Sequence, residues 1–206
     1  MFIEPILVGY FTSLGLILAI GAQNAFVLRC GLKGHHTFLV CLICALSDTL
    51  LIALGVLGMG EVILSVPWLG TSALILGVVF VSVYGFLRIR AYFHPEAMDE
   101  KDVETPSLYK TVLMTLAFTW LNPHVYIDTV FLVGTISTQF VDPMQRLAFG
   151  LSAGLASVTF FFGLGYSARA LAPVFSSPER WRYVDLCIGI LMFVIAAQLG
   201  LKAYYG

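Results

Sequence analysis

Six long apolar stretches constrain this chain more than any other feature of its sequence. They lie at roughly 5–28, 37–60, 67–89, 107–138, 145–170 and 183–203, and they do not alternate as the strands of a membrane barrel would. A helix needs about 20 mostly apolar residues to cross the hydrocarbon core of a bilayer. Only 11% of the residues are charged, whereas a soluble domain carries about 25%. The sequence therefore predicts an all-α integral membrane protein with six transmembrane helices.

The basic residues around these stretches are distributed unevenly, which predicts an orientation. One side holds Arg146 and Lys202, and the other holds Arg29, Lys33, Arg88, Arg90, Lys101, Lys110, Arg169, Arg180 and Arg182. Cytoplasmic loops carry the excess of Lys and Arg, so we expect both termini to face outward, into the periplasm. The first stretch has no preceding basic residue and no clear cleavage site, so we expect a span there and not a signal peptide.

An acidic segment divides the chain into two halves with three apolar stretches each. We predict a first three-helix repeat over 1–95, an acidic cytoplasmic linker over 96–106, and a second, inverted repeat over 107–206. Residues Leu18–Val27 align with Leu116–Val125 at four of ten positions, and this alignment pairs Asn24 with Asn122. Inverted repeats whose first helices are interrupted are a transporter architecture, with the substrate site near the membrane midplane.

Two carboxylates inside the apolar stretches are the main candidate functional residues. Asp48 lies near the middle of the second stretch, and Asp128 lies in the fourth. A charged aspartate at such a depth costs roughly 2.5–3.5 kcal/mol or more, so it faces a cavity or a partner and indicates a functional site. The alternatives are a neutral Asp48 bonded to a neighbouring helix and an Asp128 near the outer interface.

Helix breaks are predicted in the first and fourth stretches. Pro123 removes a backbone donor and frees carbonyl groups that can point into a cavity. Gly21 marks the corresponding point in the first stretch, where Gln23 and Asn24 follow it. Their amides could bond a substrate or simply join two helices. His124 is expected to be a packed, hydrogen-bonded residue.

Three further features receive structural interpretations. Cys41 and Cys44 form a CxxC inside a predicted span, where small apolar filling is expected. Gly150 and Gly154 form a GxxxG, which lets helices approach closely within one chain or between the two copies of a homodimer. Asp185 is expected to mark the start of the last helix, where an acid suits the helix dipole.

Together, three segments resemble the lysine/arginine exporter family (LysE/ArgO type). They are Gly21–Arg29, the Ser47-Asp48 pair and Thr119–Thr129. The resemblance covers essentially the whole chain, and the Asn-Pro-His-Val-Tyr sequence at 122–126 followed by an aspartate is its most specific part. Many relatives have proline where this chain has Ala22.

The resemblance implies export of arginine or lysine from a bacterial cytoplasm across the inner membrane. Asp48 and Asp128 would alternately bind the cationic side chain of the substrate and a proton, as an antiporter requires. The other expected substrate contacts are Asn24, Asn122, Gln23 and Tyr126. No cofactor, metal or nucleic acid is expected.

Other functions are also compatible with these residues. Within transporters, the substrate could be a neutral amino acid such as threonine or homoserine, or a metal cation. An intramembrane aspartyl protease also needs two aspartates, but the Gly-x-Gly-Asp pattern expected there is absent, because Ala45-Leu46-Ser47 precede Asp48. A thiol-transfer protein would use Cys41 and Cys44.

Overall fold

All regular structure in the described part of the chain is helical. The computed structural model describes residues 2–18, 21–58, 67–93, 107–175 and 178–205, so the predicted linker at 96–106 lies outside it. The helices are α1 (Ile3–Ile17), α2 (Ala22–Lys33), α3 (Thr37–Val56), α4 (Pro67–Phe93), α5 (Leu108–Trp120), α6 (Pro123–Tyr126), a π-helix (Ile127–Leu132), α7 (Val133–Ser137), α8 (Pro143–Leu171), a 3-10 helix (Ala172–Phe175) and α9 (Pro178–Tyr205).

Four segments are long and apolar enough to cross a membrane, by length and composition. They are Thr37–Val56, Ile75–Phe93, Pro143–Leu171 and Arg182–Leu201. The axes of α1 and α2 differ by 81°, and the two helices would add a fifth span if they were counted together as one bent helix. The prediction of an all-helical membrane protein is confirmed for the described residues. The fourth predicted stretch is divided among α5, α6, the π-helix and α7, none of which is long enough to span alone.

The two helix breaks have matching local structure. Asn122 caps α6 with its side chain and Pro123 occupies the first helical position, where its missing N–H and fixed φ are tolerated. Gly21 is the extended residue that precedes α2, and Ala22 is the first helical residue there. Gly21 and Asn122 therefore hold the same position before the helices that follow the two breaks, whereas Asn24, which the sequence alignment paired with Asn122, lies in the first turn of α2.

α8 lies at the centre of the bundle and packs against α1, α2 and α3, while α4 packs along α9. The GxxxG residues face α3 of the same chain. A Cβ added to Gly154 would lie 3.0 Å from Cγ2 of Thr49, and one added to Gly150 would lie 3.4 Å from Cγ2 of Val56. In this chain the motif therefore serves an internal helix contact.

The CxxC residues lie in α3, and the first of them faces α8. Cys41 and Cys44 are fully buried, and the Cys41 thiol donates a hydrogen bond to the carbonyl oxygen of Phe161 in α8 at 3.1 Å. Both are free thiols, and the Cys44 thiol lies 3.9 Å from Oγ1 of Thr119 in α5, so the pair fills space between α3 and its neighbours.

Candidate functional site

A cavity of about 170 Å³ lies between the two helix breaks. The first break contributes Leu16, Ile17, Gly21, Ala22, Gln23 and Asn24, and the second contributes Asn122, His124, Val125, Asp128 and Thr129. The remaining lining residues are Asp48, Phe161, Ile195 and Gln198. The fold thus brings together both predicted carboxylates and the predicted amides. Pro123 and Tyr126 are not among the lining residues.

Asp48 is the deepest carboxylate of the cavity. Only 2% of the residue is exposed, and its Oδ1 accepts a hydrogen bond from Nε2 of Gln23 at 3.4 Å. The neighbouring Ser47 accepts a hydrogen bond from the Trp120 indole at 3.2 Å, which ties α3 to the end of α5. A buried carboxylate with an amide donor can accept a cation or a proton, because either removes the cost of a buried negative charge.

Asp128 reaches the cavity because the helix around it is a π-helix. Asp128 and Thr129 belong to Ile127–Leu132, and single π turns of this kind are frequent at functional sites. In a regular helix, residues six apart such as Asn122 and Asp128 would point in different directions. The break before Pro123 and the wider turn after it place both on the cavity wall.

Two side chains each satisfy one carbonyl group that a break leaves without its helical partner. Asn24 donates from Nδ2 to the carbonyl oxygen of Ile17 at 2.7 Å. The Tyr126 hydroxyl donates to the carbonyl oxygen of Trp120 at 2.8 Å. In a continuous helix the N–H of His124 would serve that carbonyl, but it donates instead to Oδ1 of Asn122. Tyr126 thus supports the second break from outside the cavity.

Nine of the lining residues were not predicted as site residues from the sequence: Leu16, Ile17, Ala22, His124, Val125, Thr129, Phe161, Ile195 and Gln198. Gln198 had a usable signal, because it is a polar residue in the apolar stretch of the last helix. Phe161 and Ile195 had none, since apolar residues are expected throughout such helices. The described residues contain no group of three or more His, Cys, Asp or Glu side chains that could hold a metal ion.

A second polar cluster, which we call the ionic triad, consists of Arg29, Arg88 and Asp185. Oδ1 of Asp185 lies 3.1 Å from Nε of Arg29 and 3.5 Å from an Nη of Arg88. The interpretation of Asp185 as a dipole-stabilising acid is wrong, because it lies in the third turn of α9, beyond the reach of that effect, and is buried between two guanidinium groups. No sequence pattern indicates this contact, since Arg29 and Asp185 are 156 positions apart.

A bundle of apolar helices with carboxylates in a cavity between two broken helices defines a membrane transporter. The chain belongs to the family described as LysE type translocator, which it matches over residues 14–203.

The chain is also similar to curated bacterial proteins over nearly its whole length. It is 36% identical to a Klebsiella pneumoniae protein named arginine exporter protein ArgO, over 92% of each chain. It is 36% identical to a Pectobacterium atrosepticum protein of the same name, over 93% of this chain and 94% of the other. An Aeromonas salmonicida protein named as a candidate amino-acid transporter, YggA, is 37% identical over 93% of each chain. No solved structure matches.

Proposed function

We propose that this protein exports arginine, and lysine as a related cation, from the bacterial cytoplasm across the inner membrane. The observation that carries the proposal is the presence of Asp48 and Asp128 in the wall of one cavity. Carboxylates are the natural partners of guanidinium and ammonium groups. The names of the relatives in Klebsiella and Pectobacterium agree with this substrate.

The substrate's two ends require different surroundings. The cationic side chain would lie between Asp48 and Asp128, while the amino-acid end would contact the amide of Asn122 and the backbone at the two breaks. Gln23 would hold Asp48 in position through its hydrogen bond. Asn24 and Tyr126 would contribute by keeping the breaks open, since both are hydrogen-bonded to backbone carbonyls.

Export of a cation needs an energy source. Moving one positive charge outward against an inside-negative potential costs about 2.3 kcal/mol per 100 mV. Inward exchange of one proton would cancel the net charge movement. Asp48 and Asp128 suit this task because a proton and a cationic side chain compete for the same carboxylate oxygens.

We propose six spans arranged as two inverted repeats, one within 1–95 and one within 107–206. Reciprocal contacts support this. In one contact, Gly134 of α7, a helix that follows the second break, meets Gly55 of α3. In the other, Gly31 of α2, the helix that follows the first break, meets Ala168 of α8. A helix that follows each break thus packs on the helix predicted as the second span of the other half. A Cβ on Gly85 would lie 3.2 Å from the carbonyl oxygen of Gly189, and the reverse distance is also 3.2 Å.

The basic residues support the proposed orientation. One end of the bundle carries basic residues on four helices: Lys33 at the end of α2, Arg90 near the end of α4, Arg169 near the end of α8 and Arg180 near the start of α9. At this end, Arg182 of α9 donates a hydrogen bond to the carbonyl oxygen of Tyr92 in α4 at 3.1 Å. With this end in the cytoplasm, both termini face the periplasm.

Efflux from proteoliposomes tests the proposed function. Vesicles containing the purified protein are loaded with labelled arginine, lysine or threonine, and the outside is acidified to impose an inward proton gradient. We expect faster release of arginine and lysine than of threonine, and faster release with the gradient than without it. Release of threonine alone would contradict the substrate class. Arginine release that ignores the gradient would contradict proton exchange and leave export intact.

A further inference from the structure

The ionic triad ties three helices together between the cavity and the basic end of the bundle. Arg29 belongs to α2, Arg88 to α4 and Asp185 to α9, and their side chains are 12%, 20% and 2% exposed. The contact lies towards the basic end of the bundle, because Arg29 is in the last turns of α2 and Asp185 is in the early turns of α9. The cavity lining residue Gln198 lies 13 residues further along α9, about 20 Å of helix rise.

An aromatic cluster lies between the triad and the cavity along α2, where Phe26 stands between Gln23 and Arg29. The Phe118 ring lies 4.6 Å from that of Phe26 and 4.7 Å from those of Phe80 and Tyr84, measured between centroids. Phe118 is 1% exposed. The Arg88 guanidinium lies over the Tyr84 ring at 5.1 Å, so the triad and the aromatic cluster are in direct contact.

A row of three residues on α2 connects the cavity to both features. Gln23, Phe26 and Arg29 follow one another at intervals of three residues, so each lies next to the following one on the helix surface, although the row turns by about 120° between Gln23 and Arg29. Gln23 contacts Asp48 in the cavity, Phe26 stacks in the aromatic cluster, and Arg29 pairs with Asp185. A movement of α2 that changes one of these contacts must change the others, because a helix this short moves as a unit.

We propose that the ionic triad and the aromatic cluster form the gate that closes the cavity towards the basic end of the bundle. Breaking the pairs to Asp185 frees α2, withdraws Phe26 and opens a route from that end to Asp48. The open route is the one by which a cytoplasmic substrate would enter, and this part of the inference rests on the proposed function.

The closed gate leaves polar groups unsatisfied, which favours a structure that can open. Nε of Arg88 and the hydroxyl of Tyr84 are buried and have no hydrogen-bond partner among the residues that the structure describes. Such groups lose their hydration without compensation. Entry of water on opening would restore it, so the closed and open states can be close in free energy.

The charge of the triad suits a gate in a cation exporter. The triad itself contains two positively charged side chains and one negatively charged side chain. An inside-negative potential pulls basic amino acids inward. A positive barrier between the cavity and the cytoplasm would oppose that return, because like charges repel strongly where water is scarce.

Sided labelling of a cavity thiol tests the gate without depending on any substrate. Val125→Cys places a thiol on the cavity wall in a chain whose four native cysteines are replaced. Membrane vesicles of both orientations are treated with a membrane-impermeant maleimide. With the triad intact we expect slow labelling from the basic end. Asp185→Asn should raise that rate at least about tenfold, which corresponds to about 1.4 kcal/mol in the gate equilibrium.

Three companion variants make the result decisive. Arg88→Gln removes only the longer contact, should raise the rate in the same direction, and decides the matter if Asp185→Asn does not fold. In the Arg88→Gln background, Arg29→Asp combined with Asp185→Arg restores an opposite-charge pair without repulsion from Arg88 and should label no faster than Arg88→Gln alone. Asp142→Asn, at the far end of α8, should change nothing. Unchanged labelling in folded Asp185→Asn or Arg88→Gln, or faster labelling in the charge swap than in Arg88→Gln alone, would overturn the gate. Failure of arginine efflux alone would instead contradict the proposed function.

Discussion

Asn24 reaches back across the first helix break and donates a hydrogen bond from Nδ2 to the carbonyl oxygen of Ile17 at 2.7 Å. Tyr126 does the same across the second break, where its hydroxyl donates to the carbonyl oxygen of Trp120 at 2.8 Å. A break in a helix exposes carbonyls that have no partner, and the apolar surroundings offer none. In both halves of the chain, a side chain from the following helix supplies one.

Asn24→Ala and Tyr126→Phe should each destabilise the protein by about 1–3 kcal/mol, because each leaves a carbonyl with reduced access to water and no donor. Thermal unfolding of the detergent-solubilised protein measures the effect. Tyr109→Phe is the matched control, since Tyr109 is 75% exposed. We expect this variant to unfold at the same temperature as the parent protein. Parent-like stability of both test variants would show that other groups satisfy the broken ends.

Asp48→Asn and Asp128→Asn should each lower gradient-driven arginine efflux at least about tenfold, because an amide can neither carry a proton nor neutralise a guanidinium. Asp48→Glu and Asp128→Glu should retain more efflux than the amides, with altered substrate preference. The loss should occur without unfolding, since removing a buried charge also removes its desolvation cost.

Asp142→Asn is the control for the carboxylate variants. Asp142 caps α8 by accepting a hydrogen bond from the N–H of Met144 at 2.9 Å, and asparagine caps helices about equally well. Parent-like efflux by this variant would show that the loss of arginine efflux is specific to the two cavity carboxylates. Normal gradient-driven efflux by both cavity amide variants would rule out the proposed exchange mechanism, even if export itself were observed.

Gly134→Ala should destabilise the bundle by about 1–3 kcal/mol through overpacking. A Cβ there would lie 2.8 Å from the carbonyl oxygen of Gly55, and backbone atoms cannot rotate away. Gly163→Ala is the control, because a Cβ at that helical position meets nothing within 4 Å. It should stabilise the protein by about 0.5–1 kcal/mol. Equal unfolding temperatures for the two variants would contradict the close approach of α3 and α7.

A reporter fused after Gly206 should be active if it works only in the periplasm, because the basic end of the bundle is proposed to lie in the cytoplasm. The same fusion made with a reporter that works only in the cytoplasm should be silent. The opposite pair of activities would reverse the orientation, and the proposed gate would then face the periplasm.

Much of the candidate site could be predicted from the sequence, because its members violate local rules. Asp48 and Asp128 are charged residues in apolar stretches, and Pro123 cannot continue a helix. The structure places both carboxylates on one cavity wall and begins α6 at Pro123. Tyr126 was predicted as a substrate contact because it belongs to the same motif, but sequence proximity does not indicate which way a side chain points after a break.

The sequence by itself determined the class of this protein and the positions where its helices break, since hydropathy and the backbone limits of glycine and proline act on neighbouring residues. Only the tertiary structure decided which charges meet. Arg29 and Asp185 are 156 residues apart, and no periodicity or local propensity links them. Their pairing follows from the packing of α4 along α9 and the approach of α2 to that pair. Burial then makes the partnership necessary, because an isolated charge in that position would be too costly to keep.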